Sequence, residues 1–208
     1  MECGSSVTDS PLTVPDAIDA VIDAQWSGLG TPGSWMTGDE RTAIVRVTRS
    51  SSAEVHGDEP VARAAALVAH HASTLTADTV DELESRGLRR EQYVEIVGVV
   101  SRVAAIDTFE RGIGRPERSL PVSAPGAPSR DLVATARRRA GWVPTVGAIG
   151  PVTALDAVPP EATAQSALHG ALYLSYAEMA DLAVVRGLTR AQLELVAARV
   201  SYLNDCFY

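Results

Sequence analysis

A chain of 208 residues that is 46% apolar is long enough to bury one or two compact cores, and its composition is not that of a disordered polymer. A net charge of −8 and a pI near 5.0 argue against nucleic acid as a partner, because phosphate binding is driven mainly by clustered Lys and Arg. Aromatics are only 5% while Ala, Val and Leu abound, which suits close-packed helices better than a sheet and predicts an all-α fold.

Residues before about Ser10 are polar and read as a frayed start, with Cys3 an exposed thiol of no assigned role. Pro15 to Trp26 carries Ala17, Ile18, Val21, Ile22 and Trp26 at helical spacing, and the glycines between Gly28 and Gly33 end that helix. Thr37 and Glu40 form a capping box that opens a helix through Ile44 and Val45 to about Arg49. Ser50 to Gly57 breaks it, and Pro60 at a first helical position starts the next, through Leu67 and Val68. Thr79 to Arg86 reads as a short amphipathic helix closed by Gly87. From about Arg90 to Arg111, Tyr93, Ile96, Val97, Val100, Val103 and Phe109 trace a long buried stripe, the expected central helix.

Four prolines between Gly114 and Ser129 read as a linker or extended crossing. Beyond it, Asp131 to Ala140 is expected to be a helix whose Arg137-Arg138-Arg139 run forms a solvated face near its C-terminus. Gly141 to Gly147 interrupts it. Glu161 to Val185 holds one or two further helices, and Gly187 precedes a final helix from about Arg190 to Leu203.

Two segments repeat. Gly87-Leu-Arg-Arg-Glu-Gln92 and Gly187-Leu-Thr-Arg-Ala-Gln192 share four residue types at an offset of 100, and Val100-Ser101 matches Val200-Ser201. Repeated helical units and shared helix-start chemistry both account for this.

The chemistry concentrates at the end, where Glu194 stands twelve positions before Cys206. This spacing, with Glu194-Leu-Val-Ala-Ala-Arg-Val-Ser-Tyr-Leu-Asn-Asp-Cys206 and Arg137-Arg-Arg-Ala-Gly-Trp-Val-Pro144, resembles the alkylhydroperoxidase D and carboxymuconolactone decarboxylase family. That family's peroxidase branch carries a glutamate, eleven intervening residues, a Cys-x-x-Cys pair and a histidine. The resemblance implies a helical bundle in tandem arrangement, with a cysteine-free first copy at 11–115, a Pro-rich linker at 116–130, and the front portion of a second copy at 131–208. In the first copy the cysteines would follow Val47, where the chain reads Thr48-Arg-Ser-Ser-Ser-Ala-Glu-Val55.

The catalytic residues implied are Cys206 and Glu194, the carboxylate belonging to a relay that removes the thiol proton. The partners implied are a small peroxide and a dithiol reductant, with no metal or organic cofactor, and the apolar stripes predict a homo-oligomer. The second cysteine and the histidine would fall beyond Tyr208, so the 208-residue chain is expected to be inactive. Along one helix Glu194 lies roughly 13 Å from its end, too far to touch a cysteine just past it.

Two alternatives stand beside this reading: a non-catalytic helical scaffold or interaction subunit, and a lactone-handling decarboxylase. Adjacent His70 and His71 point about 100° apart and make no metal pair, and His56 and His169 lack ligand-spaced acidic partners. Ser51 and Ser52 read as a helix-ending turn. No apolar run approaches roughly 18 residues and the first residues have no signal core, which predicts a cytoplasmic protein without membrane attachment.

Overall fold

The computed structural model describes residues 12–50, 59–148, 150 and 153–206, and among these the chain is mostly helical. The frayed start with Cys3, and the helix-breaking run with Ser51, Ser52 and His56, lie outside the described residues.

Local signals place the first helices. α1 (Asp16–Gly28) turns Ile22 and Trp26 inward and sets Asp16 and Asp19 in its first turn, where the helix dipole favours negative charge. α2 (Gly38–Arg49) starts at the Thr37 capping box: Glu40 N–H donates to the Thr37 hydroxyl at 3.3 Å, and Thr37 N–H donates to the Glu40 carboxylate at 2.7 Å. α3 (Pro60–His70) opens on Pro60 and buries three consecutive alanines, Ala64 to Ala66. α4 (Ala77–Ser85) begins two residues earlier than predicted because the Thr76 hydroxyl caps it. Gly87 follows it at φ +98°, a left-handed position that glycine tolerates without a Cβ penalty.

α5 (Arg90–Gly112) is the 23-residue spine of the molecule. Ile96, Val99, Val103 and Ile106 are fully buried along it, and α1, α2 and α3 pack around them. Each such side chain contributes roughly 1.5–3 kcal/mol by leaving water.

The Pro-rich segment is an extended crossing over the α1–α2 connection. Ala124, Ser129 and Arg130 N–H groups donate to Gly30, Gly33 and Ser34 carbonyls, and Trp26 Nε1 donates to Ser119 O at 2.9 Å. Ion pairs fasten its start: Arg115 to Asp19 at 2.6 Å, and Arg118 to Asp23 at 2.6 Å and to buried Glu110 at 2.7 Å.

The predicted helix from Asp131 to Ala140 does not form. Its place is taken by a turn and β1 (Arg137–Arg138), paired antiparallel with β2 (Pro144–Thr145) around the Gly141 turn. Partners remote in sequence hold this hairpin: Arg90 donates to Trp142 O at 2.5 Å and Arg138 to Asp81 at 3.3 Å, while Arg139 donates to Thr145 O at 3.0 Å across the turn. The three arginines are exposed as expected but lie on a hairpin and not a helix: Arg138 and Arg139 anchor it, and Arg137 donates to the Ala134 and Ala136 carbonyls.

α6 (Pro159–Leu172) starts on two prolines, two residues before its predicted beginning, and packs on α1 and α5, delivering Leu168 into the core built by α1 to α5. The short α7 (Tyr176–Met179), capped by Ser175, is the second helix of the region. Helix ends there, and the residues before Gly187 form β3 (Val185–Arg186), paired with β4 (Leu188–Thr189) across Gly187 at φ +70°. α8 (Arg190–Leu203) then runs over the predicted residues, capped by Thr189.

α5 and α6 approach closely because Gly98 has no side chain: a Cβ there would stand 2.5 Å from Glu161 Oε2 and 2.8 Å from Glu161 Cβ. In an open helix Gly→Ala stabilises by roughly 0.5–1 kcal/mol, whereas overpacking a core costs about 1–3 kcal/mol. Gly98→Ala is therefore expected to lower the urea midpoint of the full chain, and a raised midpoint would contradict this close approach.

Candidate functional site

Two groups of polar side chains stand apart from ordinary surface pairs. The first is on α8, where the sequence places Glu194 and Cys206. Glu194 accepts hydrogen bonds from Arg190 Nε at 2.6 Å and from the Tyr173 hydroxyl at 2.8 Å. Tyr173 comes from the end of α6, and Arg190 also donates to Met179 O at 3.2 Å, so the carboxylate ties α8 to the α6–α7 corner. The Tyr173 hydrogen bond, then Arg190, holds the Glu194 carboxyl below its ordinary value of 4.5. Burial, then Glu194, pushes the Tyr173 phenol up.

His169 stands against the same tyrosine, ring centroids 5.5 Å apart and edge-on, with its Nδ1 2.5 Å from Leu174 O. Sequence spacing gives this histidine no acidic partner. The tyrosine between it and Glu194 is what spacing could not show.

Cys206 lies beyond the other end of α8. Asp205 takes a left-handed φ of +51°, Asp205 N–H donates to Tyr202 O, and Cys206 N–H donates to Ser201 O at 3.0 Å. This is a Schellman close, which ends the helix and leaves the thiol in solvent. Among the described residues no hydrogen bond joins Cys206 to Glu194, and the two sit at opposite ends of one helix as the helical rise requires.

α8 is also turned over. Leu193, Ala197 and Ser201 lie toward the molecule, whereas Leu195, Val196, Val200, Tyr202 and Leu203 face outward, with Leu195 72% and Tyr202 73% exposed.

The second group is buried and was missed by sequence reasoning. Arg41 of α2 reaches Glu95 of α5 at 2.6 Å and Glu161 of α6 at 2.9 Å, and Arg102 of α5 reaches the other oxygen of Glu161 at 2.5 Å. Trp35 N–H donates to the second oxygen of Glu95 at 2.6 Å. All four side chains are essentially removed from water. Two cations and two anions cancel, which is the condition for burying charge at all. Burial dominates both ends of the chain of contacts: it pushes the Glu95 carboxyl up against the opposing pull of Arg41, and it pulls Arg102 down against Glu161.

A signal for this cluster exists in the sequence. Glu95 between Val94 and Ile96, and Arg102 beside Val103, are charges in the apolar middle of α5, and such charges are almost never buried unless paired. The cluster acts as a bolt between three helices.

Among the described residues no group of three or more His, Cys, Asp or Glu side chains is arranged to hold a metal ion, and no helix is long and apolar enough to cross a membrane. No protein-family model matches the chain, and neither a curated protein nor a solved structure matches it.

Removing one member of the buried cluster leaves a charge uncompensated, so Glu161→Gln is expected to cost about 3–5 kcal/mol in urea unfolding. Replacing Arg102 and Glu161 together by Met and Leu leaves the neutral Arg41–Glu95 pair and should recover most of that loss. A double variant as unstable as the single one would show that the charges are not what links the helices. On α8, Tyr173→Phe removes the strongest restraint on Glu194, and its carboxyl should titrate closer to 4.5 by carboxyl-detected NMR. An unchanged titration would mean that Arg190 alone holds it.

Proposed function

We propose that this protein is a helical relative of the thiol peroxidases of the alkylhydroperoxidase D and carboxymuconolactone decarboxylase family. In this reading Cys206 is the peroxide-reacting sulfur and Glu194 the carboxylate of its proton relay. The observation that carries it is α8 itself: one capped helix holds a carboxylate, kept ionised by Tyr173 and Arg190, and ends in a turn that presents an accessible thiol.

The chemistry follows from the thiolate being the nucleophile. Its sulfur attacks one peroxide oxygen, the S–O bond forms as the O–O bond breaks, and the departing alkoxide takes up the proton that the thiol released. Sulfur is oxidised to a sulfenic acid and the peroxide is reduced to an alcohol. A second thiol then displaces water from the sulfenic acid, forming a disulfide that an external dithiol reduces. Among the described residues no hydrogen bond joins Glu194 to Cys206, so in this reading turnover requires a second thiol and a histidine besides them.

We further propose that the protein works in the reducing cytoplasm as a homo-oligomer. A second reading, a non-catalytic interaction subunit, is favoured by one observation, the outward apolar face of α8.

With Cys3 replaced by serine, treatment of the 208-residue chain with an alkyl hydroperoxide and dimedone should label Cys206 by mass spectrometry, without sustained consumption of a dithiol. Absence of any Cys206 adduct would remove the thiol role and leave the interaction reading. Steady turnover at rates typical of enzymes would show that the relay is complete without further groups.

A further inference from the structure

Between α5 and the β1–β2 hairpin lies a cavity of about 610 Å³, within the range of small-molecule sites. Tyr93, Val94 and Val97 of α5 form one wall, and Trp142, Val143 and Thr145 of the hairpin form the other. The described residues that line it include no charged side chain. The nearby guanidiniums of Arg90 and Arg139 are spent on the Trp142 and Thr145 carbonyls, so they stiffen the hairpin wall.

Two hydroxyl-bearing side chains stand in this apolar lining. Thr145 is only 3% exposed and its Oγ1 is buried without a hydrogen-bond partner, and Tyr93, also in the lining, is 5% exposed. Unmade hydrogen bonds of buried hydroxyls are costly, and native interiors carry few of them. Burial pushes the Tyr93 phenol up to about 12, so at neutral pH it keeps its proton and is a donor.

We propose that this cavity binds an uncharged, mostly apolar organic molecule bearing a carbonyl or comparable acceptor oxygen, which receives a hydrogen bond from Tyr93 or Thr145. An anionic ligand would enter an apolar site with no counter-charge, at the large cost of burying unpaired charge. A purely hydrocarbon ligand would leave the Thr145 hydroxyl unsatisfied. The inference involves neither Cys206 nor Glu194 and stands apart from the thiol reading.

The full chain can be titrated with 6-propionyl-2-dimethylaminonaphthalene, an uncharged fluorophore with one ketone whose emission shifts to the blue in apolar surroundings. One saturable site per chain is expected. Tyr93→Phe should weaken it, or Thr145→Val should, by about tenfold, the weight of one hydrogen bond. Ala154→Trp, at a position lining the cavity, should abolish binding, while Leu195→Glu on the outward face of α8 should leave it unchanged. No saturable binding would overturn the proposal, as would wild-type affinity in both hydroxyl variants or binding lost in Leu195→Glu instead. Tyr93→Phe keeps the shape of the side chain, so the test survives even if Ala154→Trp does not fold.

Discussion

Four charged side chains in the dry interior hold this molecule to one arrangement. Arg41, Glu95, Arg102 and Glu161 form a continuous chain of contacts from α2 through α5 to α6, and every link is at hydrogen-bond distance. Charges so deep are tolerable only when each cation faces an anion, so small shifts of any of the three helices are penalised far more steeply than sliding apolar surfaces would be. Glycines adapt to the cluster: Gly33 lets the backbone lie against Glu95 and Arg41, and Gly98 admits Glu161. Residue choices far apart along the chain therefore serve one electrostatic arrangement.

Its consequence for architecture is that α6, which follows the Pro-rich crossing, belongs to the same core as the helices that precede it. Glu161 is carried in at the first turn of α6, and Leu168 follows two turns later on the same face. The crossing is itself stitched to the α1–α2 connection by backbone hydrogen bonds and by arginine–carboxylate pairs. Leu168 thereby joins the core that α1 to α5 build.

α8 obeys the opposite logic. It meets the rest of the molecule through half-buried Leu193, Ala197 and Ser201 and through the Tyr173–Glu194–Arg190 contact, and it leaves Leu195, Val196, Val200 and Leu203 exposed. The two proposed readings draw on this same helix, one on its exposed apolar side chains and the other on the exposed thiol past its end.

Local chemistry was enough for the sequence to determine where most helices begin. The Thr37–Glu40 box, Pro60, the turn at Gly87 and the start at Arg190 rest on residues within a turn of one another, so no tertiary context is needed to read them. The spacing of Glu194 and Cys206 is likewise a property of the sequence itself. Only the tertiary structure decided that 137–145 is a hairpin, that Glu95 and Glu161 meet Arg41, that Tyr173 lies between His169 and Glu194, and that α8 faces outward. These depend on partners up to 120 residues away, and a buried charge or an unpaired hydroxyl acquires its meaning only from what the fold places beside it.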